Sequence, residues 1–500
     1  MAAEIPRQEL RAIVDLYDSE FDPAPEDETA SRSAVSEEAA KSQTEDHVRT
    51  IKVRGTSRET EYPETMQHGL LIDNFVRLLD NPMTPHDLLY QAYQSLPQPR
   101  LSYLSDGIIR RLLRHFSVVE LKSEESMLRY LSLVDELTEA NIPMITSEWN
   151  TAMSFAGRWV RKVTDLQVEA ATQILLRMEQ EAGVKGNSVT FNILFDVAVK
   201  AGKFALAEAI MKEMEVRKLE ASLRFRTNKI FYHGLRRDGA AVRRSYKELV
   251  DAGEFVDTAV LNCVIVSLIK AGEAGAAEHI FERMKRMHEE RTGRPFLSGH
   301  GGWRKQRELV KVLDRAAKLL RKDAGKDPEQ EAEHRSAIQE TTPVGPNLHT
   351  YRLLIKYHAH YSGNIDRVTE LLDEMYQRNI RMHGSIFFQM FRGFRFHGGV
   401  RYSSWTKSRL DKLWTVFLEL VERTEEENKD RKVPQLDEED RGCYLDTGIV
   451  LVVLQAYSKC TGQETTLKVW ESILERWKPE PEALETVNGA LATMFAWQQT

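Results

Sequence analysis

Cysteine is scarce in this chain: three occur in 500 residues, Cys263, Cys443 and Cys460. They lie far apart and form no CxxC or Cys/His cluster, which excludes a disulfide framework and a cysteine–histidine zinc site. Long apolar runs are also missing. GIVLVVLQAY at 448–457 falls well short of the roughly 20 residues that span a bilayer, so no membrane insertion is expected. Positive charge is not in excess, since 69 Lys and Arg stand against 76 Asp and Glu for a formal net charge of −7. Any nucleic-acid site must then be a local stripe rather than a property of the whole surface.

Catalytic constellations are lacking as well. His358 and His360 stand two apart on a predicted helix, so their side chains diverge and make a poor metal pair. SGHGGW at 298–303 does not have the spacing of a phosphate-binding P-loop, and the deaminase pattern HxE…PCxxC does not occur. The sequence is therefore read as a non-enzyme with no metal, no cofactor and no small-molecule substrate.

What is present is 42% hydrophobic and 29% charged residues, enough for one large core or for many small ones stacked end to end. The first 66 residues are acidic. From about 22 they are rich in Glu, Ser, Thr and Asp with few aromatics, which predicts a mostly disordered segment. The opening MAAEIPRQELRAIVDLY has neither the apolar core of a secretory signal nor the Arg-rich, acid-poor character of a presequence. Taken alone, it points to the cytosol.

Beyond it, one layout recurs. In 187–222, Val189, Phe191, Ile193, Leu194, Val197 and Ala198 mark one amphipathic helix. The turn KAGK follows, its Gly202 suited to a left-handed helix end, and Leu206, Ala207, Ala209, Ile210 and Met214 mark a second helix. The same pair returns over 223–257 and 258–290, placing Asn192, Thr227 and Asn262 at equivalent points 35 residues apart. A repeated hairpin of fixed period predicts an all-α solenoid, because one hairpin alone cannot bury its apolar stripe.

The phrases Val189-Thr190-Phe191-Asn192, Lys200-Ala201-Gly202, Ala207 and Glu213-Met214, echoed by LNCVIVSLIKAGE at 261–273, resemble the pentatricopeptide repeat (PPR) family. A unit at 347–380 shares Thr350-Tyr351, Gly363 and Glu374-Met375, and weaker units lie at 101–141, 147–180 and 446–477. The resemblance implies a right-handed α-solenoid of stacked helix-turn-helix repeats with inserted loops, in a type closest to fungal mitochondrial members. The expected organisation is an acidic segment 1–66, degenerate repeats 67–146, central repeats 147–290 and a basic, polar insertion 291–345. A repeat with a following helix (346–397) and degenerate repeats with a charged linker at 421–442 (398–500) complete it. For the insertion an RNA clamp, a docking element and a surface loop all remain open, the loop being the expectation.

The resemblance further implies single-stranded RNA as partner, read at about one base per repeat by two side chains. Carried over, these selectors are Asn150 with Asn187, Asn192 with Ser222, Thr227 with Asp257, and Asn262 with a residue at the end of its repeat. Asn–Ser and Asn–Asn resemble pyrimidine readers, and Thr–Asp resembles a guanine reader. Arg352 stands where the next selector belongs. Arg224, Arg226, Lys229, Arg236, Arg237, Arg243 and Arg244, few acids between them, form the stripe expected to meet phosphate. Asn and the basic residues are equally at home as helix caps and solvated faces. By resemblance the location is the mitochondrial matrix and the role is RNA stability, processing or translation; a start downstream of a presequence would reconcile this with the acidic opening. The alternative is a scaffold for ribosomal or translation proteins or structured RNA.

Overall fold

The computed structural model describes residues 7–14, 65–119, 121–160, 162–292, 303–323, 328–429 and 442–496. The polar tract from 22 to 64, the glycine-rich stretch 293–302 and the linker residues 430–441 lie outside them. Among the described residues every regular element is helical. The chain divides into two compact units at Glu220 and Ala221, and the short N-terminal helix α1 (Arg7–Ala12) joins the later one.

The earlier unit is a run of helix pairs: α2 (Met66–Asp80) with α3 (His86–Gln94), α4 (Asp106–Phe116) with α5 (Glu124–Glu139), α6 (Thr146–Arg158) with α7 (Asp165–Leu176), and α8 (Ser188–Lys200) with α9 (Phe204–Val216). Asn187 opens α8 with a reciprocal cap: its side chain accepts from the Val189 and Thr190 amides, while Thr190 Oγ1 accepts from its own amide. Gly202, at φ 74°, then turns the chain into α9. First helices α6 and α8 pack side by side, and each also packs on its own second helix.

The later unit continues this scheme. The pair α10 (Leu223–Leu235) and α11 (Gly239–Asp251) is followed by α12 (Thr258–Ala271) and α13 (Ala274–Thr292). After α14 (Trp303–Asp323) and α15 (Pro328–Thr341) come α16 (Leu348–Tyr357) with α17 (Ile365–Gln377), and α18 (Gly384–His397) with α19 (Lys407–Lys429). The pair α20 (Thr447–Thr461) and α21 (Gln463–Arg476), then α22 (Pro481–Ala496), end the order. First helices α10, α12, α16, α18 and α20 lie in sequence order, each against the next, with the second helices behind. Gly234 permits the closest approach: a Cβ there would stand 2.6 Å from the Ser267 Cα on α12.

Two local expectations change. Within the insertion, VKVLDRAAKLLRK, which reads as an amphipathic helix in sequence, lies in α14, and Leu309, Leu313, Ala316, Ala317 and Leu320 cover the buried Phe255, so this part is a packed helix and not a surface loop. Gln339 on α15 then pins both polar groups of the Val256 backbone, accepting from its N–H at 2.9 Å and donating to its C=O at 2.8 Å. Likewise the charged linker begins inside α19, whose Val421 is buried and whose run of Glu and Lys favours helix. At the N-terminus, Leu10, Ile13 and Val14 are buried against the later unit, and Tyr246 Oη donates to the Leu10 carbonyl at 2.8 Å.

Candidate nucleic-acid interface

Each first helix places one residue at its cap and another five positions on, one and a half turns away. The caps Asn187, Ser222 and Asp257 open α8, α10 and α12 at 35-residue intervals, and within the later unit Thr227 and Asn262 take equivalent places on the adjacent helices α10 and α12. The next cap of this kind is Asn347, 90 residues after Asp257, with the same reciprocal bond to Thr350 that Asn187 makes to Thr190. The insertion therefore lengthens one repeat without disturbing the register of the following first helix.

The register brings selectors into contact. In the earlier unit Asn150 Nδ2 donates to Asn187 Oδ1 at 3.3 Å, and Asn150 Oδ1 accepts from Thr190 Oγ1 at 2.7 Å. In the later unit Asn262 Nδ2 donates to Asn347 Oδ1 at 3.2 Å. Asn347 thus stands where the expected partner of Asn262 would lie. The missed signal was the Asn-x-x-Thr phrase, which is the same at 187–190 and 347–350.

The two pairs differ in one atom. Both threonines reach the cap oxygen, Thr190 Oγ1 at 3.2 Å and Thr350 Oγ1 at 3.1 Å, but only Thr190 also reaches the preceding asparagine, and Asn262 Oδ1 is buried with no hydrogen-bond partner among the described residues. A buried acceptor left empty costs about 1–3 kcal/mol. A base N–H donor entering between α12 and α16 would recover it.

Of the expected selectors, Asn187, Ser222 and Asp257 are helix caps, whereas Asn150, Asn192, Thr227 and Asn262 lie inside their helices. Asn150, Asn192 and Asn262 are 6%, 7% and 4% exposed, so none of them lies on an open face. Ser222 accepts from the Phe225 amide at 3.4 Å, and Asp257 from the Val260 amide at 2.8 Å. Burial raises the Asp257 pKa, and backbone N–H donors partly offset it. Thr227 Oγ1 donates to the Leu223 carbonyl at 2.8 Å, which leaves its lone pairs as acceptors. An ionised Asp257 also offers only acceptors, so this pair suits an edge of N–H donors such as guanine presents.

The basic stripe is spread over a helix, a turn and the next helix. Arg224, Arg226 and Lys229 lie on α10, Arg236 and Arg237 in the turn, and Arg243 and Arg244 on α11. Arg226 lies 3.6 Å from Glu254, Lys229 bonds Glu248 at 2.9 Å, and Arg243 pairs with Glu273. Arg236 donates to Tyr232 Oη at 2.7 Å, whereas Arg237 and Arg244 are exposed. Arg352 lies 2.7 Å from His349 Nδ1 on its own helix.

The PPR repeat family model matches residues 189–219 and 259–288, so the chain carries PPR repeats at two of the three central hairpins. No curated protein matches the chain. Among solved structures, the crystal structure of the pentatricopeptide repeat protein PPR10 from maize is 15% identical, with a TM-score of 0.34 over 86% of this chain and 59% of that one. The structure of PPR10 in complex with an 18-nt psaJ RNA element is 14% identical, with a TM-score of 0.26 over 88% of this chain and 60% of that one. The chain thus spans less than two thirds of the maize protein's length.

Proposed function

We propose that this chain, which carries PPR repeats, binds single-stranded RNA and reads individual bases along its row of first helices. One observation carries the reading most directly. The in-register pair Asn262 and Asn347 meets across a long insertion and keeps a buried acceptor empty, although a simple helix cap needs neither. Capping alone accounts for Asn187 and Asn347 but not for the polar residues five positions after the caps, where an apolar residue would pack equally well.

On this reading the pairs Thr227–Asp257 and Asn262–Asn347 select a guanine and then a pyrimidine. The chain acts by occupying RNA rather than by cutting or modifying it: it blocks nucleases, holds the strand open or recruits processing or translation factors. The mitochondrial matrix is the proposed compartment, on family resemblance. A scaffold role is the second reading. It is favoured by Arg352 and Phe388, which take the position five residues after the caps Asn347 and His383 and offer no neutral hydrogen-bonding edge.

The test is crosslinking and immunoprecipitation from the native cell with sequencing of the attached RNA. A sharp footprint on a few transcripts, blurred by combining Asn192→Ala with Thr227→Ala, is the expected result. Total RNA recovery should fall less than selectivity does. Diffuse ribosomal RNA, or a stoichiometric protein partner without RNA, would replace this function with the scaffold.

A further inference from the structure

Around the insertion, the later first helices carry a group of cations. Lys270 on α12, Arg352 and Lys356 on α16, and Arg392 on α18 lie on three adjacent helices. Among the described residues none of the four forms an ion pair with a carboxylate. The second helices behind them are different. There Arg367 bonds Glu278 at 2.8 Å, Lys285 bonds Glu374 at 3.0 Å and Arg378 bonds Glu289 at 3.2 Å. In a chain of net charge −7, the cations named on α13 and α17 are neutralised, and the four on α12, α16 and α18 have no carboxylate partner among the described residues.

The open cations sense one another. The Lys356 pKa is lowered by burial and then by Lys270, Arg392 and Arg352. His360 is pushed down to about 4 by burial and by Arg392 and Lys356, and His349 to about 4 by burial and Arg352. Both imidazoles are therefore neutral at pH 7, in the positive field of Arg352, Lys356 and Arg392.

Rings alternate with these charges. His349, Arg352, Lys356 and His360 follow one ridge of α16 and its wide last turn, while Phe388, Arg392 and Phe396 follow a ridge of the adjoining α18. The Arg392 guanidinium sits 5.9 Å from the Phe388 ring centre and 5.4 Å from that of Phe396. Phe396 meets His360 edge to face at 5.5 Å and is 44% exposed. Tyr361, stacked on Tyr357 at 6.2 Å, is 71% exposed.

We propose that the adjoining ridges of α16 and α18 form a sequence-independent grip on single-stranded RNA, with phosphates on Arg352, Lys356 and Arg392 and base faces on Tyr361 and Phe396. Cations interleaved with exposed rings suit a flexible strand that presents both charge and π-faces, and an acidic protein surface offers only the charge. The inference rests on the RNA-binding reading above and adds to it a site that reads no bases. It gives Arg352 and Phe388 a role at positions where base selection lapses.

The experiment uses the full chain, labelled oligo(U) and oligo(A) of about 20 nucleotides, and polarisation titrations over a range of salt. Lys356→Gln with Arg392→Gln should weaken both oligomers by the same factor, about tenfold, and make the salt slope shallower by about 1.4 for two lost phosphate contacts. The charge-keeping pair Lys356→Arg with Arg392→Lys should retain binding, which separates charge from folding. Thr227→Ala with Asn262→Ala should change the ratio between the oligomers instead. Wild-type protein that binds no RNA overturns the RNA reading, and the grip with it. RNA binding whose affinity and salt slope ignore the Gln pair overturns the grip alone. Displacement by polyglutamate as effective as by RNA would mark a general acidic dock and also overturn it.

Discussion

Asp257 serves two demands that a single substitution can separate. It caps α12, and in the proposed function it offers acceptors to a guanine. Asn caps a helix about as well as Asp but presents an amide in place of a carboxylate. Burial holds the Asp257 pKa above its ordinary value near 3.9, so the folded state binds its proton more tightly than the unfolded chain does. The stability cost of the carboxylate is thus absent below that ordinary value and grows as pH rises through the folded pKa. Asp257→Asn should leave the fold as stable as wild type or slightly more so at pH 7, with the advantage gone near pH 3. It should also lose the preference for guanine at one position. Urea midpoints at the two pH values, with binding to RNAs differing by one base, measure both. Unchanged base preference would leave Asp257 a cap and nothing more.

At the scale of the hairpin, the turn between first and second helices sets the middle repeat apart from the two that match the PPR repeat. Gly202 and Gly272 turn the chain at φ 74° and 93°; the equivalent residue between them is Arg237, at φ 60°. A side chain in the left-handed region costs about 1 kcal/mol, which the flanking repeats avoid with glycine. Arg237→Gly should raise the urea midpoint by an amount worth up to about 1 kcal/mol, reduced by the greater freedom of glycine in the unfolded chain. If Arg237 meets phosphate, the same variant should also make the salt slope of RNA binding shallower by about 0.7. A strained arginine kept for its charge predicts both changes, whereas a tolerated accident predicts only the first.

For the molecule as a whole, the histidines set a pH dependence. His233, His288, His349 and His360 are all lowered, first by burial and then by neighbouring cations, the last two to about 4. The ordinary imidazole value is about 6.5. Between that value and about 4 the unfolded chain gains protons that the folded chain refuses, so stability is intact above about pH 6.5 and is lost progressively as pH falls. Thermal melts from pH 7.5 to 4.5 should show a falling Tm, with a smaller fall for His349→Gln with His360→Gln. A Tm that held constant over this range would contradict the burial of these rings among cations. RNA on the proposed grip should also raise both histidine pKa values, because phosphate neutralises the cations that depress them.

The helical-hairpin architecture and its period were legible in the chain alone. Both follow from local causes: apolar residues at helical spacing and Asn, Ser and Asp caps that repeat every 35 residues, with Gly202 and Gly272 at two of the turns. Those causes act within a few residues, so a linear reading captures them. Three things needed the tertiary structure. The helical insertion docks on Phe255 and Val256 through residues about 60 to 80 positions away. Asn347 becomes the partner of Asn262 only because the first helix after the insertion returns to register. The open cations of α16 and α18 differ from the paired ones on α13 and α17 only in which carboxylates face them. Sequence specifies which charges a chain carries, but contacts between distant segments decide which of them are neutralised.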